Sequence, residues 1–321
     1  MAAAAPPPLR AAVVGAGHLG RHHARLYAAS ASARLVAVAD ILPGRAAEVA
    51  SACGAEAVAD FRSLIGRVDV ASVAVPTAAH EEVACGLLEA GVAVLVEKPI
   101  ASSLEAADRL VALARRTGLT LMVGHTERFN PAVEALAAHT RGPRFVEAHR
   151  LGSFSARSLD IDVVADLMIH DIDVLFALAG GGLVSVDAVG IGALTSRVDI
   201  ASVRLRLASG CVANLTASRI SEQKVRKLRV WESDSYYSLD YGEQEVRHWF
   251  LRRDGGETAI GSETLAVERD EPLRREIEQF LRAVRGEERP RVDGEAGRRA
   301  LEAALLVAES IRRGAPVTGT A

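Results

Sequence analysis

The chain has 321 residues, enough for two ordinary cores, and is 49% apolar and 25% charged, which excludes a disordered or low-complexity protein. Its net charge of −3 carries no basic excess, so neither nucleic acid nor an anionic membrane is expected as a partner. Three cysteines (Cys53, Cys85 and Cys211) form no C-x-x-C pair and, being odd in number, no disulfide framework, which fits a reducing compartment. The start MAAAAPPPLR has no cationic stretch followed by an apolar one, so no signal peptide is expected. No run approaches the roughly 20 apolar residues a bilayer span needs. A cytoplasmic protein is the expectation.

Apolar runs at 10–14, 34–39, 69–75, 92–96 and 119–123 alternate with helical patterns near 18–30, 44–53, 79–90 and 103–117. Strand–helix alternation with short connections predicts a parallel, doubly wound sheet. Gly54, Gly91 and Gly118 fall where helices should stop. Near residue 126 the pattern changes. Asn130-Pro131 suits a helix start, and alternating strands follow at 144–151, 184–192, 199–207, 211–219, 225–231 and 235–241. One helix interrupts them at about 162–179. Residues 252–263 (RRDGGETAIGSE) are expected to form an exposed loop, before helices at about 272–285 and 294–313. The fold class is therefore α/β: a dinucleotide-type domain over 1–126, and an α+β domain over 127–321 on a large, mostly antiparallel open sheet. The C-terminal helices are free to pack back on the first domain.

The stretch RAAVVGAGHLGRHHARLY carries G-x-G-x-x-G at Gly15, Gly17 and Gly20, after a strand and opening a helix, which is the Rossmann context. Gly15 would permit the tight turn, Gly17 the approach of a pyrophosphate, and Gly20 close helix packing. His18 and Leu19, between the second and third glycines, are candidate cofactor contacts. His18, His22 and His23 are otherwise expected on the surface of this helix. Asp40, 20 residues after Gly20, is placed to accept hydrogen bonds from an adenosine ribose and to repel a 2′-phosphate. NAD is thus favoured over NADP, although Arg45 lies near. Pro76, Thr77 and His80 end the next strand, at the carboxyl edge where ligands lie in such sheets. Thr77 would also serve as a helix cap.

The apolar run VAVLV meets Glu97, Lys98 and Pro99 at the end of another strand that points into the same crevice. A lysine there stands near the nicotinamide, aimed by the proline, and a cis Lys98–Pro99 bond is plausible. Downstream, Asp162, Asp166 and His170 are four apart and line one face of a helix. Asp173 lies near that face and Asp171 points elsewhere. A solvated acidic face would account for Asp162 and Asp173 but not for His170 in the apolar VVADLMIH. No second histidine is spaced to complete a metal site, and none is expected.

These stretches (GAGHLGRHHA, VAVAD, VAVPTAAH, VEKPIA, ERFNPAV and DVVADLMIHDIDVL) resemble the Gfo/Idh/MocA oxidoreductases from about Leu9 to Val317. The resemblance implies a Rossmann domain, then an α/β domain whose open sheet often forms the subunit interface of a homodimer or homotetramer. It implies catalytic roles for Lys98, Asp166 and His170, with Glu97 and Lys98 beside the cofactor. It also suggests Arg128 and Asn130 as substrate contacts, the latter equally readable as a helix cap. Many members have an aromatic residue near His125 and a glycine at Met168. VGHTERFNPAVEAL with VADLMIHDIDVLFALAG instead resembles the subgroup that oxidises the 3-hydroxyl of UDP-N-acetylglucosamine. Arg150, Arg157, Arg219, Lys224, Arg226 and Lys227 are available for a diphosphate, none singled out. The alternatives are a dehydrogenase of a free sugar, inositol or other cyclic polyol, and a catalytically silent NAD-binding regulatory protein.

Overall fold

Residues 6–154, 161–254 and 257–319 are described by the computed structural model. The chain divides into two units, Met1–His125 with Leu273–Arg298, and Thr126–Pro272 with Arg299–Ala321.

In the first unit the apolar runs become strands β1 (Leu9–Val14), β2 (Ala33–Ala39), β4 (Val70–Val73), β5 (Ala93–Glu97) and β6 (Leu121–Gly124), with a short β3 (Glu56–Val58) at one edge. All pairings are parallel, in the order β3-β2-β1-β4-β5-β6. Every residue of β4 and β5 is buried, as a sheet covered on both faces requires. The crossovers are helices α1 (His18–Ala29), α2 (Pro43–Cys53), α3 (His80–Glu89) and α4 (Leu104–Thr117). Ser103 caps α4 by accepting from the backbone of Ala106, and Gly118 ends it in the left-handed conformation that a side chain would oppose. The strand order reverses between β1 and β4. Loops at that point leave a crevice at the carboxyl ends of the strands. Helix α7 (Pro272–Val284) and the start of α8 (Gly294–Arg313) complete the unit. Gly297 packs so closely on Val123 that a Cβ there would come within 2.5 Å of it.

The second unit begins with α5 (Pro131–His139), capped by Asn130 with Pro131 in its first turn. Strand β7 (Phe145–Leu151) follows, then a π turn over Val164–Met168 running into α6 (Ile169–Ala179). Next come β8 (Leu183–Ile191), β9 (Ile200–Leu207), β10 (Val212–Ser218), β11 (Val225–Trp231) and β12 (Ser235–Asp240). The segment expected to be a loop at 252–263 is instead part of a hairpin, β13 (Glu245–Asp254) with β14 (Glu257–Thr264), paired from Arg247 opposite Thr264 to Asp254 opposite Glu257. A short β15 (Val317–Thr318) completes a nine-stranded sheet, β14-β13-β12-β11-β7-β10-β9-β8-β15, antiparallel except at β7–β10. Alternation is strict in β9, where Val203, Leu205 and Leu207 are buried and Ser202, Arg204 and Arg206 exposed. On the side away from this core, Phe145, Trp231, Tyr236 and Trp249 form a cross-strand row with ring centroids 5.0–5.1 Å apart. None of the described helices is long and apolar enough to cross a membrane.

Candidate active site

The glycine turn after β1 leaves no choice of residue at two of its three positions. Gly15 has φ +96° and is pressed against β4, where a Cβ would stand 2.5 Å from the carbonyl oxygen of Ala74. A Cβ on Gly20 would overlap the carbonyl oxygen of Gly15. Gly17 differs, since nothing lies within 4 Å of where its Cβ would be. It is the N-cap of α1 and has no side chain to fold over the first turn. The open cradle and the positive end of the helix dipole fit a pyrophosphate. His18 and Leu19 are exposed on that first turn.

Asp40 sits at the end of β2. Its Oδ2 accepts from the backbone N–H of Ala16 at 2.7 Å and its Oδ1 from that of Leu42 at 2.8 Å. The carboxylate is therefore tied to the glycine turn, and each oxygen keeps a lone pair for a ribose hydroxyl. Pro76 is exposed and Thr77 half-buried; neither makes a side-chain cap, because the helical turn after β4 carries none. His80 is buried, with Nδ1 2.9 Å from the carbonyl oxygen of Pro99 and Nε2 3.0 Å from that of Val75. Burial pushes its imidazole below the usual range, against the opposing pull of those two carbonyls. His80 thus ties the end of β4 to the segment that follows β5.

Lys98 leads off that segment, half-buried, and the Lys98–Pro99 peptide is cis. Glu97 beneath it is 5% exposed. His23, expected on the helix surface, is fully buried: its Nε2 meets Glu97 Oε1 at 2.8 Å and its Nδ1 meets Ser72 Oγ at 2.9 Å. Burial pushes the Glu97 carboxyl up. The hydrogen bond from His23, with the positive charge of Lys98, outweighs that and holds it below the usual range.

In the second unit the Asp-x-x-x-His pattern lies on the π turn and the start of α6. Asp166 and His170 are half-buried. The π turn inserts one residue into the helical ladder between them, a feature frequent at functional sites. Asp162 starts the turn, accepting from the backbone of Ala165 at 2.8 Å. The remaining acids do not form a solvated face. Asp173 is 2% exposed and accepts from Arg128 at 3.3 Å. Asp171, also 2% exposed, grips Arg150 through two bonds of 2.8 Å, while Glu127 takes a third at 2.8 Å. The Arg150 guanidinium lies 4.9 Å from the centre of the Tyr241 ring. Burial works against the Arg150 charge, and Asp171 and Glu127 overcome it, raising its pKa further. Asn130 bonds the backbone of Ala132, Glu127 and the carbonyl of Tyr241. Its cap role is therefore realised, inside the same network.

The expectation that these basic residues stand open to a diphosphate is corrected at two positions. Arg150 is consumed by this network. Arg219, 6% exposed, donates to the carbonyl of Ile161 at 2.7 Å and lies 3.7 Å from Asp199. Lys224, Arg226 and Lys227 are exposed, and Arg157 lies outside the described residues. His125 is fully buried and Met168 packs in the core. Among the described residues no group of His, Cys, Asp or Glu could hold a metal ion. His23 shares its i, i+3, i+4 spacing with Gly20, Ala24 and Tyr27, and this spacing is the buried stripe of α1.

Residues 9–125 match an oxidoreductase family described by its NAD-binding Rossmann fold, and residues 161–318 match the C-terminal alpha/beta domain of that oxidoreductase family. The chain is 41% identical over 303 residues to the UDP-N-acetylglucosamine 3-dehydrogenase of Acidithiobacillus ferrooxidans, covering 93% of this chain and 96% of that one. A solved structure of that enzyme superposes with a TM-score of 0.89 at 39% identity, covering 95% and 98% of the two chains. The scyllo-inositol 2-dehydrogenase (NAD(+)) of Bacillus subtilis is 26% identical over 338 residues, covering 96% of each chain.

Proposed function

The chain belongs to the Gfo/Idh/MocA oxidoreductase family, and on that premise we propose that it oxidises the 3-hydroxyl of UDP-N-acetylglucosamine with NAD⁺, giving the 3-keto sugar nucleotide, NADH and a proton. The observation that carries the substrate is the 41% identity across 93% of the chain to an enzyme of that name, against 26% for an inositol dehydrogenase across 96% of the chain. NAD is preferred to NADP because Asp40 is held at the end of β2 by Ala16 and Leu42, where its charge repels a 2′-phosphate.

Gly15, Gly17 and Gly20, with the first turn of α1, would hold the pyrophosphate, and Asp40 the ribose. Pro76, Thr77, His80 and Glu97 would shape the wall beside the nicotinamide. Once bound, the dinucleotide supplies the hydride acceptor. Lys98 donates a hydrogen bond to the reacting hydroxyl oxygen and stabilises the charge that develops there. His170 receives the hydroxyl proton, and Asp166 orients the imidazole or a neighbouring sugar hydroxyl. Arg128 reaches the sugar from its bond to Asp173. Asn130, bonded to Glu127, would stand beside it as a further substrate contact. The aromatic face of the nine-stranded sheet supports a homodimer or homotetramer, which the mass in solution tests.

The test is NADH absorbance after mixing protein, NAD⁺ and UDP-N-acetylglucosamine, with an aminotransferase and glutamate to remove the ketosugar. Expected is NADH formation that depends on the sugar nucleotide and falls about 10²–10⁴-fold in Lys98→Ala. A flat trace with this substrate, alongside turnover of inositol or a free sugar, would overturn the substrate.

A further inference from the structure

Glu97 is a carboxylate placed where a sheet end would normally bury something apolar. Every other residue of β5 is apolar and fully packed, and the strand opposite offers Gly124 as its register partner. A buried anion is a costly way to fill such a place, and replacing buried ion pairs by apolar groups often stabilises a fold. The arrangement around it is also complete. Tyr27 Oη lies 3.0 Å from Ser72 Oγ, Ser72 Oγ 2.9 Å from His23 Nδ1, and His23 Nε2 2.8 Å from Glu97 Oε1. The second carboxylate oxygen, Oε2, accepts from the backbone N–H of Lys98 at 3.3 Å. Tyr27, His23 and Ser72 are all fully buried.

An ionised carboxylate only accepts, so His23 must carry a proton on Nε2. The simplest chain then runs one way: Tyr27 donates to Ser72, Ser72 donates to Nδ1 of His23, and Nε2–H donates to Glu97. Its last bond is to the main chain of Lys98. We propose that His23 is a positioning residue for Lys98, fixing the Glu97 carboxylate as an anion against the Lys98 backbone. This role rests on the reading of Lys98 as the residue that meets the reacting hydroxyl. His23 itself touches neither substrate nor cofactor in this assignment.

Other charged groups face the carboxylate or its chain from the packed elements: Lys98 on its own segment, His80 from α3, and Glu276 and Glu278 of α7 on the Tyr27 side. His23 bonds a Glu97 side-chain oxygen with its own side chain, at 2.8 Å. Removing that donor therefore lets burial raise the carboxyl, so that Glu97 takes up a proton at a higher pH.

The experiment compares the pH profiles of kcat/KM for wild type, His23→Leu and His23→Gln. The Gln amide nitrogen reaches where Nε2 stands and still donates to Glu97. Expected is an acid limb moved up by about one pH unit in His23→Leu and returned by His23→Gln, with NAD⁺ affinity unchanged in both. A Leu variant that is slower with its acid limb in place, or Leu and Gln variants that shift alike, would overturn the proposal. Should His23→Leu fail to fold, Ser72→Ala replaces it, with a smaller shift in the same direction expected and none overturning the idea. If the wild type makes no NADH with any sugar, the functional reading fails and the network is judged by nitrogen NMR of the histidines. There the His23 Nε2 must be protonated and must change in Glu97→Gln. A proton found on Nδ1 alone would overturn the network itself.

Discussion

Gly124 and Glu97 face each other across β6 and β5 so closely that a Cβ on Gly124 would stand 2.9 Å from Oε2 of Glu97 and 3.2 Å from its Cα. The missing side chain is what gives the carboxylate its place. Gly124→Ala should push Glu97 off His23, with an overpacking cost of about 1–3 kcal/mol in urea unfolding. A matching fall in kcat with little change in NAD⁺ affinity is expected, because the dinucleotide cradle lies on other loops. Unchanged kcat in a folded variant would sever the carboxylate from the chemistry.

Two glycines of the cradle should part company when changed to alanine. Gly20→Ala has no room beside the Gly15 carbonyl, so it should unfold or fail to express. Gly17→Ala has open space on all sides and should melt as the wild type does. The methyl group would then stand where the pyrophosphate approaches the backbone, and NAD⁺ affinity should drop at least about tenfold, about 1.4 kcal/mol. Calorimetric melting and titration with NAD⁺ read the two effects separately.

The reach of the sequence differs between these features for physical reasons. Strands β1, β4, β5 and β6 are covered on both faces, so they read as largely apolar runs that end in the residues facing the crevice. Strand β9, antiparallel to both its neighbours, shows its single buried face as strict alternation. Helix α1 is legible as a helix, but the polarity of His23 suggests the surface while its position lies on the buried face. Its partners Ser72 and Glu97 come from β4 and β5, and no local pattern announces a bond across 49 or 74 residues. The β13–β14 hairpin is hidden by its charges, since Arg247 and residues 251–253 of β13, and most of the edge strand β14, are exposed. The Asp254-Gly255-Gly256-Glu257 run is nonetheless a two-residue hairpin signal. The π turn at Val164–Met168 rests on one extra residue in a helical ladder, which apolar spacing alone does not resolve.

Arg150 stands at the centre of the second unit's polar network, and its loss should be felt by the whole unit. Arg150→Met leaves the buried Asp171 and the half-buried Glu127 with no cation between them. A cost of about 3–5 kcal/mol is expected in denaturant unfolding. Adding Asp171→Leu should recover part of it, because removing the second charge removes an uncompensated anion. A single variant within about 0.5 kcal/mol of wild type would show that the network is not holding the start of α6.

Asp199 gives the clearest acid-dependent contribution. It is fully buried by surface exposure and accepts from the backbone of Ala193, Leu194 and Thr195 at 2.7–2.9 Å and from the Thr195 hydroxyl at 2.9 Å. Burial alone would raise its carboxyl; these donors more than offset that and bring it down from 3.8 to about 2. A folded-state value below the unfolded one means the stabilisation is fully present above about pH 4 and disappears as pH falls through about 2. Asp199→Asn keeps the shape but turns an amide NH2, a donor, toward backbone and hydroxyl donors that need an acceptor. The variant should be less stable than wild type at neutral pH, and the gap between the two unfolding midpoints should close between about pH 4 and pH 2. A gap that stays constant through that window would show that the 193–199 turn is held by packing and not by the carboxylate.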